Sequence, residues 1–108
     1  MTYRHVDVFY VRQQQQAQVA MQLIDVREAH EYALAHIAGS ILHPMSQAAT
    51  WAEHLDRDCE LIIMCHHGIR SAHVAEALVT RFGYTNVATM DGGIDDWSCR
   101  IDPSVPRY

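Results

Sequence analysis

The sequence predicts an α/β fold built on a mostly parallel sheet, and two observations carry the prediction. Segments of strand character alternate with segments of helical spacing along the chain, the pattern of βα units. The strand segments are also apolar on successive residues rather than on every second one, as in Leu61-Ile62-Ile63-Met64. A strand of that kind is covered on both faces. The 108 residues suffice for one core, so one domain over 1–108 is expected.

The first expected element is a helix from about Asp7 to Gln18, which Asp7 can cap with its side chain. The run Gln13 to Gln16 within it reads as a solvated face. Gln22 to Val26 is a short apolar run that ends in charge at Asp25, Arg27 and Glu28, and it reads as a buried strand. Glu28 to His36 reads as a short helix broken at Gly39, and Ser40-Ile41-Leu42 as a second strand stopped by Pro44. Ser46 to Leu55 has helical spacing with Trp51 and Leu55 on one face. Leu61 to Met64 is the clearest buried strand.

Ser71 to Phe82 is the clearest helix, with Val74, Ala75, Leu78, Val79 and Phe82 in one stripe and Gly83 placed to close it. Asn86 to Met90 reads as a further strand, Asp91-Gly92-Gly93 as a turn, and Ile94 to Ser98 as a short helix. The tail, with Pro103 and Pro106, is expected to be irregular.

Composition narrows the function. The formal net charge is −5 with a pI near 5.8, and lysine is absent. That argues against a nucleic-acid partner or an anionic membrane surface, both of which call for a basic face. No apolar run approaches the roughly 20 residues of a membrane helix. The three cysteines, Cys59, Cys65 and Cys99, are odd in number and lack framework spacing. They point to a reducing compartment rather than a disulfide scaffold. With no signal-peptide pattern at the N-terminus, a cytoplasmic location is expected.

The segment that carries chemistry is Cys65-His66-His67-Gly68-Ile69-Arg70-Ser71. It follows the clearest strand and precedes the clearest helix. The reading is a six-residue loop with a helix beginning near Ser71. Cys65 then stands at the carboxyl end of a parallel strand, where ligand sites of open α/β sheets lie. A short loop there can turn successive backbone N–H groups toward the sulfur, joined by those of the helix N-terminus. Such a cradle binds anions. It also favours the thiolate, which is the nucleophilic form. Gly68 permits positive φ or a close approach to the anion. Arg70 offers a rigid fork of donors. His66 and His67 are read as shaping the loop and facing the substrate. Adjacent residues on a tight loop diverge and no second ligand cluster is evident, so no metal is expected.

In these residues the chain resembles the rhodanese family of sulfurtransferases. Cys65 to Ser71 resembles that family's active-site loop. Leu23 to Glu28 with Glu31-Tyr32, then His36 to Ser40, resembles its N-terminal signature. Asp91 to Trp97 resembles its C-terminal Gly-Gly and Trp element. One departure is Ala38, where the family often has proline. The resemblance implies a rhodanese-like three-layer α/β/α sandwich with a five-stranded, mostly parallel sheet. It implies Cys65 as catalytic sulfur acceptor, with His66, His67, Gly68, Ile69, Arg70 and Ser71 binding substrate. It also implies that Asp25, Arg27 and His36 brace the scaffold near the site. Trp51 and Trp97 read as core or pocket wall.

The expected reaction moves sulfane sulfur through a Cys65 persulfide. The donor would be a small sulfur-donor anion such as thiosulfate, or a persulfide. The acceptor would be cyanide, a thiol or a protein, with no cofactor. A Cys-dependent phosphatase or arsenate reductase is the rival enzyme. Those loops hold five residues between Cys and Arg, and here there are four. The narrower ring should suit a sulfur atom better than a tetrahedral phosphate. A persulfide relay or interaction module serving a partner protein is the remaining alternative.

Overall fold

The all-apolar run at the centre of the chain decides the architecture. A strand sends successive side chains to opposite faces. In strand β4, Glu60–Met64, Leu61 and Ile63 therefore enter one core, with Cys65 just beyond, while Ile62 and Met64 enter another. Both faces need cover, and both have it. The computed structural model describes residues 2–108.

Among the described residues the sheet has five strands: β1 Arg4–Val6, β2 Met21–Asp25, β3 Ile41–Leu42, β4, and β5 Val87–Met90. Their order is β1-β5-β4-β2-β3, and every neighbouring pair is parallel. Between them run helices α1 Val8–Gln16, α2 Ala29–Leu34, α3 Ala48–Trp51 and α4 Ile69–Phe82, and α5 Gly93–Arg100 follows β5. One core packs Ile24, Ile63 and Val87 of the sheet against Trp51 of α3 and Val74, Ala75, Leu78 and Val79 of α4. The other packs Leu23, Ile62, Met64, Ala88 and Met90 against Val8 and Val11 of α1 and Ile94 and Trp97 of α5. The result is the α/β/α sandwich with a five-stranded sheet, parallel throughout. Trp51 and Trp97 are both buried core residues.

Asp7 caps α1 as expected, its Oδ1 accepting from the Tyr10 N–H at 2.8 Å. The Gln run departs from a fully solvated face: Gln14 is half-buried and donates to Glu60 Oε1 at 3.0 Å. The region from Ser46 to Leu55 is not one helix. A 3-10 turn at Met45–Gln47, the single turn of α3 and a 3-10 turn at Ala52–His54 replace it. The Tyr84 hydroxyl explains the last break. It donates to the Ala52 carbonyl and accepts from the Leu55 N–H, groups a continuous helix would have spent on itself. Gly83 takes the left-handed conformation and closes α4, and the Tyr84 N–H reaches back to the Leu78 carbonyl at 3.1 Å.

Strand β1 gives no sequence signal. It is three residues long, Arg4 and His5 are exposed and Val6 is half-buried. Its partner β5 supplies the reason it forms, in the register Arg4 to Ala88 through Val6 to Met90.

Candidate active site

Cys65 follows β4 directly and is 1% exposed. Its Sγ accepts the Gly68 N–H at 3.1 Å and the Ser71 N–H at 3.3 Å. Gly68 reaches that position with φ at +109°, a conformation that costs glycine little. The helix start differs from the sequence expectation: α4 begins at Ile69, with Gly68 as its cap. Only His66, His67 and Gly68 form the loop, and Arg70 and Ser71 lie in the first turn of α4. The sulfur thus sits against the free N–H groups of a helix start as well as the loop, where negative charge is favoured.

The loop is also held from behind. The Ile94 N–H donates to the Cys65 carbonyl at 2.8 Å and the Asp95 N–H to the His66 carbonyl at 3.1 Å, both from the first turn of α5. A Cβ on Gly93 would collide with those two carbonyls. The second glycine of Asp91-Gly92-Gly93 is therefore required by close approach, and it ties α5 to the loop.

Ser71 is fully buried, and its hydroxyl lies 3.5 Å from Cys65 Sγ, 3.1 Å from the Gly68 carbonyl and 2.7 Å from Thr89 Oγ1. Thr89, on β5, was not singled out in the sequence. The available signal was a hydroxyl inside an otherwise apolar strand, in register with Ile63 and on the same face.

Around this floor stands a ring of charge. Arg70 does not close over the sulfur. Its fork engages Glu31 of α2 instead, Nη1 to Oε1 at 2.7 Å and Nη2 to Oε2 at 2.9 Å. The Arg70 guanidinium and the Tyr108 hydroxyl hold the Glu31 carboxyl down at about 2, against the opposing effect of burial. The same pairing holds Arg70 more firmly protonated. Tyr108 Oη donates to Glu31 Oε2 and accepts from Arg27 Nη1, both at 2.8 Å. Arg27 and Asp25 form an ion pair at 2.7 Å with both side chains fully buried. Burial works against the Arg27 charge, yet bonds to Asp25 and Tyr108 outweigh it and raise its pKa. The remaining Arg27 donors go to the Ala35 and Glu31 carbonyls. Asp25 and Arg27 therefore brace the turn after β2 and, through Tyr108 and Glu31, the rim of the site.

His66 stacks between His67 and Tyr108, with ring centroids 4.0 Å away on each side. Burial, with His67 beside it, pushes the His66 imidazole below its ordinary range. Its Nε2 is buried without a hydrogen-bond partner. His67 and Ile69 are exposed, Ile69 at 72%. His36 is not part of this constellation. It is exposed, stacks on Tyr32 at 4.3 Å and meets the Tyr32 carbonyl through Nδ1. It steadies α2 rather than the loop. Tyr108 gave no signal in the sequence, since it lies in an irregular tail far from every motif. Cys59 is buried and Cys99 is exposed, and neither forms a disulfide.

Known proteins share the fold and sequence pattern of this chain. The rhodanese-like domain family matches residues 8–99. The chain is 40% identical over 81 residues to the thiosulfate sulfurtransferase GlpE of Haemophilus influenzae, covering 74% of each. It is 37% identical over 91 residues to the chloroplastic rhodanese-like/PpiC domain-containing protein 12 of Arabidopsis thaliana, covering 81% of this chain and 30% of that one. Among solved structures, a rhodanese-related protein from Thermoplasma volcanium superposes with a TM-score of 0.79 at 31% identity, covering 96% of both chains. The chain belongs to the rhodanese-like domain family.

Proposed function

We propose that this protein is a sulfurtransferase that carries sulfane sulfur as a persulfide on Cys65. The observation that carries the reading is the Cys65 sulfur at the end of β4, accepting N–H groups from Gly68 and Ser71 at 3.1 and 3.3 Å. In the first half-reaction the Cys65 thiolate attacks the outer sulfur of the donor. With thiosulfate, a sulfur–sulfur bond forms at Cys65, the bond to the sulfite sulfur breaks, and sulfite leaves with the electron pair. In the second, a thiol, a protein cysteine or cyanide attacks the outer sulfur and Cys65 leaves as thiolate. Ping-pong kinetics follow.

The Gly68 and Ser71 N–H groups stabilise negative charge on the Cys65 thiolate, as an oxyanion hole does. The Ser71 hydroxyl lies 3.5 Å from the sulfur and accepts from the thiol, while donating to the Gly68 carbonyl. Sulfite and thiolate leave without a proton, so the reaction calls for no general acid. The gap of four residues between Cys65 and Arg70, with Arg70 engaged by Glu31, favours sulfur transfer over phosphate chemistry. A reducing, cytoplasmic setting belongs to the proposal and is supported by three unpaired cysteines.

The test is turnover of thiosulfate, or of an aryl thiosulfonate, with cyanide as acceptor. Cys65→Ala should reduce it to background. Undiminished turnover by that variant would overturn the reading.

A further inference from the structure

Among the described residues, Arg70 of α4 and the arginines of the surrounding rim are all paired with carboxylates. Arg70 is bound at both ends of its fork by Glu31. Arg27 is closed against Asp25 with no exposure on either side. Arg107 is closed against Asp95, whose own N–H holds the loop. The groups that touch Cys65 Sγ are two backbone N–H groups and one hydroxyl. Each full cation near the loop is thus balanced by a carboxylate. The partial charges of the backbone are left to receive the donor.

We infer that Glu31 is a specificity-determining residue, which cancels the Arg70 charge and so directs the site toward sulfane-sulfur donors bearing a single negative charge. Donors of that class are organic persulfides and thiosulfonates, and thiosulfate, a dianion, is the disfavoured case. The inference rests on the proposed sulfur transfer at Cys65 and names its donor class.

Three contacts make Glu31 a fixed feature rather than a passing surface pair. Its side chain is 11% exposed. Both carboxylate oxygens are taken by Arg70, and Oε2 also accepts from Tyr108. Oε1 further accepts the Glu28 N–H at the start of α2. A carboxylate held this way cannot swing aside to release Arg70 for an incoming anion. With Arg70 neutralised by it, no net cation is left on this side of the site to favour a dianion over a monoanion.

The chemistry of the favoured donors balances. An organic thiosulfonate, R–SO2–S⁻, delivers its outer sulfur to the Cys65 thiolate, and the sulfinate R–SO2⁻ departs with the electron pair of the broken bond. A persulfide anion, R–S–S⁻, does the same: its outer sulfur passes to Cys65 and R–S⁻ departs with the electron pair of the broken bond.

The experiment measures kcat/KM for thiosulfate and for benzenethiosulfonate, with cyanide as acceptor, in the wild-type protein and in Glu31→Gln. The amide keeps the size of the side chain and removes its charge. The expected result is a rise of about fivefold in the ratio of thiosulfate to thiosulfonate, the effect of removing one nearby negative charge on a donor with one extra charge. An unchanged or lowered ratio overturns the inference. A second reading needs no variant: in wild-type protein the same ratio should stay nearly flat as ionic strength rises. A steep fall of the thiosulfate value alone would reveal an uncompensated cation and overturn it. If neither donor leaves sulfur on Cys65, the proposed function itself fails. If both load sulfur and the ratio does not respond, the donor class alone fails.

Discussion

The floor and the rim of the site are built from different materials. The floor consists of neutral groups: the N–H groups of Gly68 and Ser71, the Ser71 hydroxyl and Thr89 behind it. The rim consists of full charges, Arg70 with Glu31 and Arg27 with Asp25, linked by Tyr108. Backbone dipoles carry no counter-charge and cannot be neutralised by a neighbour, so the floor stays attractive to an anionic sulfur. The rim charges cancel in pairs and act chiefly as structure. The difference teaches that, under the proposed function, the attraction of this site for negative charge would come from its chain geometry rather than from its arginines.

Breaking the floor should have the largest effect. Gly93→Ala pushes a Cβ into the carbonyls of Cys65 and His66. It should lower kcat/KM for sulfur transfer by about 100-fold, the scale of a misplacement near the reacting atoms, with far less effect on the bulk fold. Circular dichroism alongside the assay checks both parts.

Breaking the buried half of the rim should cost stability. Asp25→Ala leaves Arg27 charged and fully enclosed, and about 3–5 kcal/mol should be lost, read by urea denaturation. The next effect is smaller and depends on pH. The Glu31 carboxyl is held at about 2 in the folded chain against an ordinary value of 4.5. A lowered folded value means that the stabilisation is complete above the unfolded pKa and is lost as pH falls. The stability gap between wild type and Glu31→Gln should therefore be full above pH 4.5, about 1–2 kcal/mol for a partly solvated pair, and close progressively toward pH 2. Denaturation at pH 7, 4 and 2.5 checks it. Smallest is Tyr108→Phe, which keeps the ring on His66 and removes one hydroxyl shared by Arg27 and Glu31. About 1 kcal/mol is expected, again from urea denaturation.

The same division explains what could be read in advance. The floor is nearly contiguous, Cys65 to Ser71, and a strand, a glycine and a helix stripe mark it out in one stretch of chain. The sandwich was legible for the same reason, because β2, β4, β5 and α4 each carry their own apolar pattern. The helix starts at Ile69 rather than near Ser71, since Gly68 caps α4 by its backbone conformation and no capping side chain announces it. The rim joins residues far apart along the chain. Glu31 meets Arg70 across 39 positions and Tyr108 meets Arg27 across 81. A fork of donors on Arg70 was visible, but the carboxylate that would occupy it was not. Strand β1 had no pattern of its own because β5 is what orders it.

The most direct measurement is mass spectrometry of the intact protein and its Cys65 peptide after treatment with thiosulfate or benzenethiosulfonate, without an acceptor. The account predicts a gain of one sulfur atom on Cys65, none on Cys59 or Cys99, and its release on adding cyanide. A Cys65 peptide unchanged by both donors, or sulfur found on Cys99 in its place, would contradict it.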